Sequence, residues 1–430
     1  MSNKKIGFWA VFSIVTGSQI GSSVFLAPTT LAPYGLYSIV GLLIAGLGAI
    51  TLSFVFAKFC SHFPKTGGPH VYVNHSLGSF WGFFTGWTYW VISWVSTTAV
   101  LITIAGYLAP LLQLNNSLSY LILELSILLT LTMLNLKGLS LVGYAEVILT
   151  FLKFVPLLLI SIVALGDFNI ENITLQPAIK SLPISKILGD VTLLTLWGFV
   201  GMETATTPAE AVLNPSKTIP KAIIWGTMSV IAIYLISSIS IIGLIPTDIL
   251  MKSNAPYADA AEILFGGSWQ VVICIVATII CLGTLNSWIL TSGQILLGLA
   301  NDGFVPKRLG ACNKDGSPYV GILLSSCGIA PLLILVMDDN IATQIREVID
   351  VSVTAFLFVY LICSISFLVF LSQQKKYSIT SWAIGLISAV FCLWVLYETR
   401  IMVIASAFLF VLSGAPMYFL WYKKQNRNFL

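Results

Sequence analysis

Charge is scarce in this chain. Of 430 residues only 9% are Asp, Glu, Lys or Arg, against roughly 25% in ordinary soluble domains. A water-soluble fold needs a charged surface, so an ordinary soluble enzyme or binding module is excluded. Histidine is nearly missing: His62, His70 and His75 are the whole set, they crowd into one loop, and their spacing matches no metal site. The cysteines form no CxxC pair. Cys60, Cys274, Cys281, Cys327, Cys363 and Cys392 fall in or at the ends of apolar runs and Cys312 in a loop, so no disulfide framework is implied. No cofactor and no metal is expected. No basic run is interleaved with aromatics, so the formal net charge of +4 does not point to nucleic acid. HExxH, GxSxG and clustered His/Asp sets are absent from the apolar runs, which leaves an intramembrane enzyme without support.

Apolar residues are what the chain has, at 57%. Runs of about 20 recur from end to end, each long enough for a hydrocarbon core of roughly 30 Å. Twelve spans are expected, at about 8–32, 37–57, 80–112, 118–136, 144–166, 187–211, 221–245, 270–299, 319–337, 348–371, 379–397 and 402–422. The third and eighth are long enough to tilt. The first run has no small-residue cleavage site and reads as a retained span.

The basic residues set an orientation. With twelve spans, Lys4, Lys5, Lys58, Lys65, Lys137, Lys217, Lys221, Lys307, Arg308, Lys314, Lys375, Lys376, Lys423, Lys424 and Arg427 share the side of both termini. Only Lys180, Lys186, Lys252, Arg346 and Arg400 lie opposite, and Lys153 falls inside a span. Both termini are therefore expected in the cytoplasm.

Two spans break the apolar pattern. Residues 16–25 read TGSQIGSSVF, and the sixth span reads LTLWGFVGMETATTPAEAV. Glycine inside a helix costs about 1 kcal/mol against alanine, and unpaired backbone at membrane depth costs several kcal/mol per group. Small-residue spacing also serves close helix packing. Two interrupted spans five apart, however, are the sequence mark of a secondary-transporter site between inverted repeats. Free N–H groups at such a break suit an anionic group, and free carbonyls a cationic one.

The sixth span also carries Glu203, a carboxylate that membrane depth penalises by about 2.5–3.5 kcal/mol on insertion scales. A functional role as a proton- or cation-linked group is expected. Lys153 is placed either to pair with it or to snorkel. Glu124, in the outer half of the fourth span, reads as structural; Glu398 and Arg400 flank an outer turn and read as solvated. Trp197 precedes the second break and Trp288 lies mid-span, where a ring face can stack on a cation. Tyr89 and Tyr360 sit at similar depth. Core packing competes with a ligand role for each of these rings.

The stretches GSQIGSSVFLAP, PKTGGPHVYV, LGSFWGFFTGWTYW, LWGFVGMETATTPAEAVLNPSKTIPKAI, APYADAAEILFG and ANDGFVPKRLG resemble the amino acid–polyamine–organocation superfamily along nearly the whole chain. Within it the basic amino acid/polyamine antiporters are most similar, and among those the arginine/agmatine antiporters. The resemblance implies an all-α, LeuT-like membrane fold. Its first inverted repeat covers about 8–166, its second about 187–371, and two peripheral helices about 379–422. It also implies a single transporter domain over 1–430 in the cell inner membrane, small-molecule substrates, lipid around it, and room for a homodimer.

Carried over by position, the substrate carboxylate would meet Ser22 and the backbone at Gly21 and Ser23. The ammonium would meet the carbonyls of Gln19, Trp197 and Val200. The distal cationic head would lie on Trp288, near Ile92, Ser93, Thr97 and Ser352. Trp288 would gate the middle, and Tyr89, Glu203 and Tyr360 the inner side. His70 stands where the family places an acid-sensing tyrosine, which keeps a titratable group there. Thr97 and Ser93 depart from the arginine/agmatine pattern, which has asparagine and cysteine, and Gln19 replaces an apolar residue. Arginine/agmatine, ornithine/putrescine and lysine/cadaverine exchange stay open. So does proton-coupled amino acid uptake; a channel fits the paired breaks less well.

Overall fold

The computed structural model describes residues 5–136, 142–314, 316–337, 341–374 and 378–422. Lys4, Lys137, Lys375, Lys376, Lys423, Lys424 and Arg427 lie outside the described residues, as does the side chain of Arg346. Helices dominate: α1 Phe8–Gln19, α2 Ser22–Leu31, α3 Tyr37–His62, α4 Pro69–Leu77, α5 Ser79–Val95, α6 Thr97–Leu112, α7 Ser117–Asn135 and α8 Val142–Ala164 make the first half. The second half has α9 Pro177–Lys180, α10 Ile184–Leu196, α11 Pro215–Leu244, α12 Thr247–Leu250, α13 Pro256–Phe265, α14 Trp269–Asn301, α15 Tyr319–Leu335 and α16 Ile341–Gln373. Helices α17 Ile379–Glu398 and α18 Ile401–Leu412 follow. Among the described residues, ten helical segments are long and apolar enough to cross a membrane, and α15 is a shorter apolar helix at the ninth expected position. This is a multi-pass, all-α membrane protein.

Both expected breaks are present. Helix α1 stops at Gln19, Ile20 is extended, and α2 starts at Ser22. Gly21 is required between them, because a Cβ there would come within 2.7 Å of the Thr284 side chain. In the sixth span α10 ends at Leu196, a 3-10 turn covers Trp197–Phe199, and Val200 is extended. Gly201 then takes φ +103°, where L side chains are strained.

Beyond that break the sequence reading needs correction, since residues up to 211 form 3-10 turns at Thr204–Thr206 and Ala209–Ala211 rather than a second α-helix. The threonines explain it. Thr204, Thr206 and Thr207 each donate a hydroxyl to a carbonyl three residues back, at 2.7 Å. Such local bonds compete with the i−4 ladder. The third span is also divided. Ser93, Ser96 and Thr97 make the same backward bonds at 2.6–3.2 Å, and α5 gives way to α6 at Ser96.

The packing is reciprocal between halves. The first broken span lies on α11, the span that follows the other break, while α10 lies on α3. Short helix α4 follows α3 and packs on α5 and α16; short helix α13 follows α11 and packs on α14 and α8. Each half therefore repeats the order broken span, long helix, short helix, and each short helix rests on one helix from each half. Helices α17 and α18 pack on α3, α5, α10 and α16 from outside.

Candidate substrate site and gates

A broken helix leaves carbonyls and N–H groups that nothing in the hydrocarbon can satisfy, and here side chains from neighbouring helices reach in. Gly17 O accepts from Lys153 Nζ at 2.9 Å and from Thr284 Oγ1 at 3.3 Å. Thr284 Oγ1 also reaches Ile20 O at 3.2 Å. Trp288 Nε1 donates to Ser18 O at 3.4 Å, and Ser23 Oγ to Gln19 O at 3.1 Å. Tyr234 OH in turn donates to Ser23 Oγ.

The two breaks are also tied to each other. Ser18 Oγ donates to Gly201 O at 3.0 Å and lies 2.9 Å from Thr204 Oγ1. Gln19 Nε2 donates to Phe199 O at 3.2 Å.

Around these ties lies a small cavity lined by Ser18, Gln19, Gly21, Ser22, Ser23, Ser96, Val100, Trp197, Val200, Thr284 and Trp288. Its free volume is about 20 Å³, close to one water-sized sphere. A ligand of amino acid size therefore enters only as the lining moves apart. Of the residues the sequence pointed to, Gln19, Gly21, Ser22, Ser23, Trp197, Val200 and Trp288 meet here. Ile92, Ser93, Thr97 and Ser352 are buried but are not in the lining.

Ser18, Ser96, Val100 and Thr284 belong to the lining and were missed. Thr284 was findable, since it lies one helical turn before Trp288 and so shares its face. Ser96 lies four residues after Ile92, and Val100 four after Ser96. No side chain in the lining is charged. The electrostatics of the cavity come from α2's first N–H groups, the break carbonyls, hydroxyls and ring faces.

One layer away is the buried carboxylate. Tyr360 OH donates to Glu203 Oε2 at 2.8 Å, and all of Glu203 is shielded from solvent. Tyr89, also fully buried, stands beside the same carboxylate. Phe356, one turn before Tyr360, joins this group to the cavity. Its ring centroid lies 6.2 Å from Trp288, 6.1 Å from Tyr89 and 6.0 Å from Tyr360. The sequence reading passed over Phe356 because an apolar ring in an apolar run carries no signal.

Three expectations are corrected. Lys153 neither pairs with Glu203 nor snorkels; it is fully buried and serves Gly17 and Thr284. The histidine stretch is largely helical, in α3 and α4, and His70 is fully buried while His62 and His75 are exposed. Arg400 is not merely solvated: its Nη2 donates to Asp350 Oδ2 at 3.0 Å, and the carbonyl of Glu398 accepts from Lys186 Nζ.

His70 Nε2 lies 3.0 Å from Asp302 Oδ2, and Lys65 Nζ lies 3.2 Å from Asp302 Oδ1. This ties α4 and the loop before it to the end of α14. Burial would raise the Asp302 carboxyl. The His70 hydrogen bond and the charges of His70 and Lys65 outweigh it and hold the group below its ordinary range. Glu124 is buried in α7.

Two interrupted spans cross-tied around an uncharged cavity, with a buried carboxylate and aromatic rings to one side, define a multi-pass transporter rather than an enzyme. Residues 6–422 match the family model described as amino acid permease. The chain belongs to the amino acid permease family, and with it to the amino acid–polyamine–organocation superfamily. It is 30% identical to the cadaverine/lysine antiporter of Escherichia coli (strain K12), over 79% of this chain and 77% of that protein. It is 27% identical to the putrescine transporter PotE of Haemophilus influenzae, over 92% of both chains. With PotE of Escherichia coli (strain K12) the identity is 25%, over 84% and 82%. These relatives are basic amino acid/polyamine transporters, the branch that the motifs resemble.

Proposed function

We propose that this protein exchanges a cationic amino acid for its decarboxylated amine across the cell inner membrane by alternating access. The observation that carries the reading is the cavity between the two breaks, where Ser18 and Gln19 of one meet Gly201 and Phe199 of the other. An amino acid and its amine share a cationic head and differ by a carboxylate. The carboxylate meets Ser22 and the N–H groups at the start of α2, with Gly21 and Ser23. The ammonium meets carbonyls at Gln19, Trp197 and Val200. The head lies on Trp288, with Ile92, Ser93, Thr97 and Ser352 lining its path once the cavity opens. Tyr89, Glu203 and Tyr360 close the inner side.

The same reading assigns a LeuT-like fold of twelve crossings with both termini cytoplasmic. Its inverted repeats span about 8–166 and 187–371 within one domain, its peripheral helices about 379–422, and it sits in lipid as a homodimer. The reciprocal packing of α4 and α13 supports the repeats. The names of the relatives favour lysine/cadaverine or ornithine/putrescine as the pair, beside arginine/agmatine.

The test is exchange in proteoliposomes preloaded with cadaverine, putrescine or agmatine and supplied outside with labelled lysine, ornithine or arginine. Uptake that requires the internal amine is expected. Uptake into empty vesicles driven by a proton gradient would replace exchange with symport, and no uptake of any cationic amino acid would overturn the reading.

A further inference from the structure

Gln19 is the last residue of α1, lines the cavity, and is 1% exposed. Its Nε2 is committed, donating to Phe199 O at 3.2 Å and reaching Thr227 Oγ1 at 3.4 Å. Thr227 is itself held, because Ser53 Oγ donates to its hydroxyl at 3.0 Å. The amide is therefore fixed by three other spans, and its orientation leaves Oε1 without a partner among the described residues. A buried acceptor left unmade is costly, so the position needs a reason.

The surrounding backbone supplies one. Near the breaks, Gly17 O is taken by Lys153 and Thr284, and Ser18 O by Trp288. Gln19 O is taken by Ser23, Phe199 O by Gln19 itself, and Gly201 O by Ser18 and Thr204. Five carbonyls that a break would offer to a ligand already serve internal donors. Oε1, buried and without a hydrogen-bond partner among the described residues, adds a side-chain acceptor to the cavity that Trp197 and Val200 also line.

We propose that Gln19 is a specificity-determining residue whose Oε1 accepts a hydrogen bond from the α-ammonium of the substrate. An amide oxygen favours an N–H donor and repels a carboxylate, so it also fixes which end of an amino acid lies against α1. The proposal rests on the substrate reading above for the location of the ligand, but not on the charge of its distal head. A residue that only capped Phe199 would affect all ligands alike.

The experiment measures binding to purified protein of paired ligands, each amino acid beside its analogue lacking the α-amine, for lysine, arginine and leucine. In wild type the α-amine should strengthen binding at least about tenfold, as a charged hydrogen bond does. Gln19→Met removes the acceptor and should cut that preference about tenfold while changing the desamino ligands little. Gln19→Glu keeps an acceptor and should retain or increase it, which keeps the test decisive if the methionine variant fails to fold.

Equal weakening of both ligands of a pair in Gln19→Met, or a lost preference in Gln19→Glu, overturns the proposal. If only the leucine pair binds and its ratio responds, Gln19 stands and cationic exchange falls. If no α-amino acid binds at all, both fall.

Discussion

Ser18 and Gly201 are 183 residues apart, yet the Ser18 hydroxyl donates to the Gly201 carbonyl at 3.0 Å while also meeting Thr204. One small side chain thus joins the last turn of α1 to the non-helical stretch of the sixth span. Gly201 is fitted to this contact, since a Cβ there would lie 2.8 Å from Ser18 Oγ. Ser18→Ala removes the donor and leaves Gly201 O with Thr204 alone. Loss of a buried neutral bond costs about 0.5–1.5 kcal/mol, so the melting temperature in detergent should fall by about 1 °C. Substrate should restore less of it than in wild type, because the ligand bridges the same two spans. A Ser18→Ala protein with unchanged melting and unchanged ligand stabilisation would show that the tie contributes nothing.

Trp288 touches both the cavity and the layer beneath it, through Ser18 O on one side and the Phe356 ring on the other. Trp288→Leu keeps an apolar side chain and removes the ring face. A stacked cation gains about 0.5–2 kcal/mol, so affinity for a cationic substrate should fall roughly 2- to 30-fold, with little change for a neutral amino acid. Phe356→Ala should slow exchange more than it weakens binding, because it detaches Trp288 from Tyr89 and Tyr360 without touching the lining. Equilibrium binding and exchange rates on the same preparations separate the two effects.

Asp302 offers a pH test at the membrane surface. Its carboxyl sits below the ordinary range because His70 and Lys65 overcome the effect of burial. A group with a depressed folded-state pKa stabilises the fold above its unfolded pKa, and that contribution is lost as pH falls through the folded value. Asp302→Asn should therefore melt below wild type at neutral pH, with the gap closing under acid conditions beneath the carboxylate range. Lys65 is mostly exposed, so its share is weakened by salt. His70→Gln should reproduce most of the neutral-pH loss. Parallel melting curves from acid to neutral pH would show that the contact does not tie α4 to α14.

Much of this architecture was legible in the sequence because hydrocarbon imposes harsh rules. Long apolar runs gave the helices, and glycine beside polar residues at membrane depth gave both breaks. Where the reading failed, the deciding partner lay far along the chain. Nothing near Lys153 tells that its ammonium reaches Gly17, 136 residues away. The same holds for His70, whose Nε2 partner Asp302 lies 232 residues away at the end of α14. The loss of helix after Gly201 was readable in principle, in the run of threonines whose hydroxyls bond backwards. Phe356 left no trace, since one phenylalanine in an apolar helix looks like any other.

Glu203 carries the last prediction. It is fully buried, accepts from Tyr360 at 2.8 Å, and its Oε1 has no hydrogen-bond partner among the described residues. Among the described residues no ion pair joins it to Lys153, whose Nζ donates to Gly17 O and Thr284 Oγ1. An ionised carboxylate in that position is unfavourable until a cation arrives, and a protonated one gives a cation nothing to pair with. Cation binding and loss of the proton are then linked, and linked equilibria shift each other by the same factor. Glu203→Gln preserves the shape and an acceptor for Tyr360 but cannot titrate. Affinity of wild type for a cationic amino acid should rise with pH between about 5 and 8, and more steeply for the amine, which carries more net positive charge. In Glu203→Gln both slopes should flatten, and the amine should lose more affinity at high pH than the amino acid. Calorimetry or scintillation proximity binding across that range reads all four curves. Should the variant keep the wild-type slopes and ligand ranking, Glu203 acts only as a structural acceptor for Tyr360, and charge compensation must come from another group.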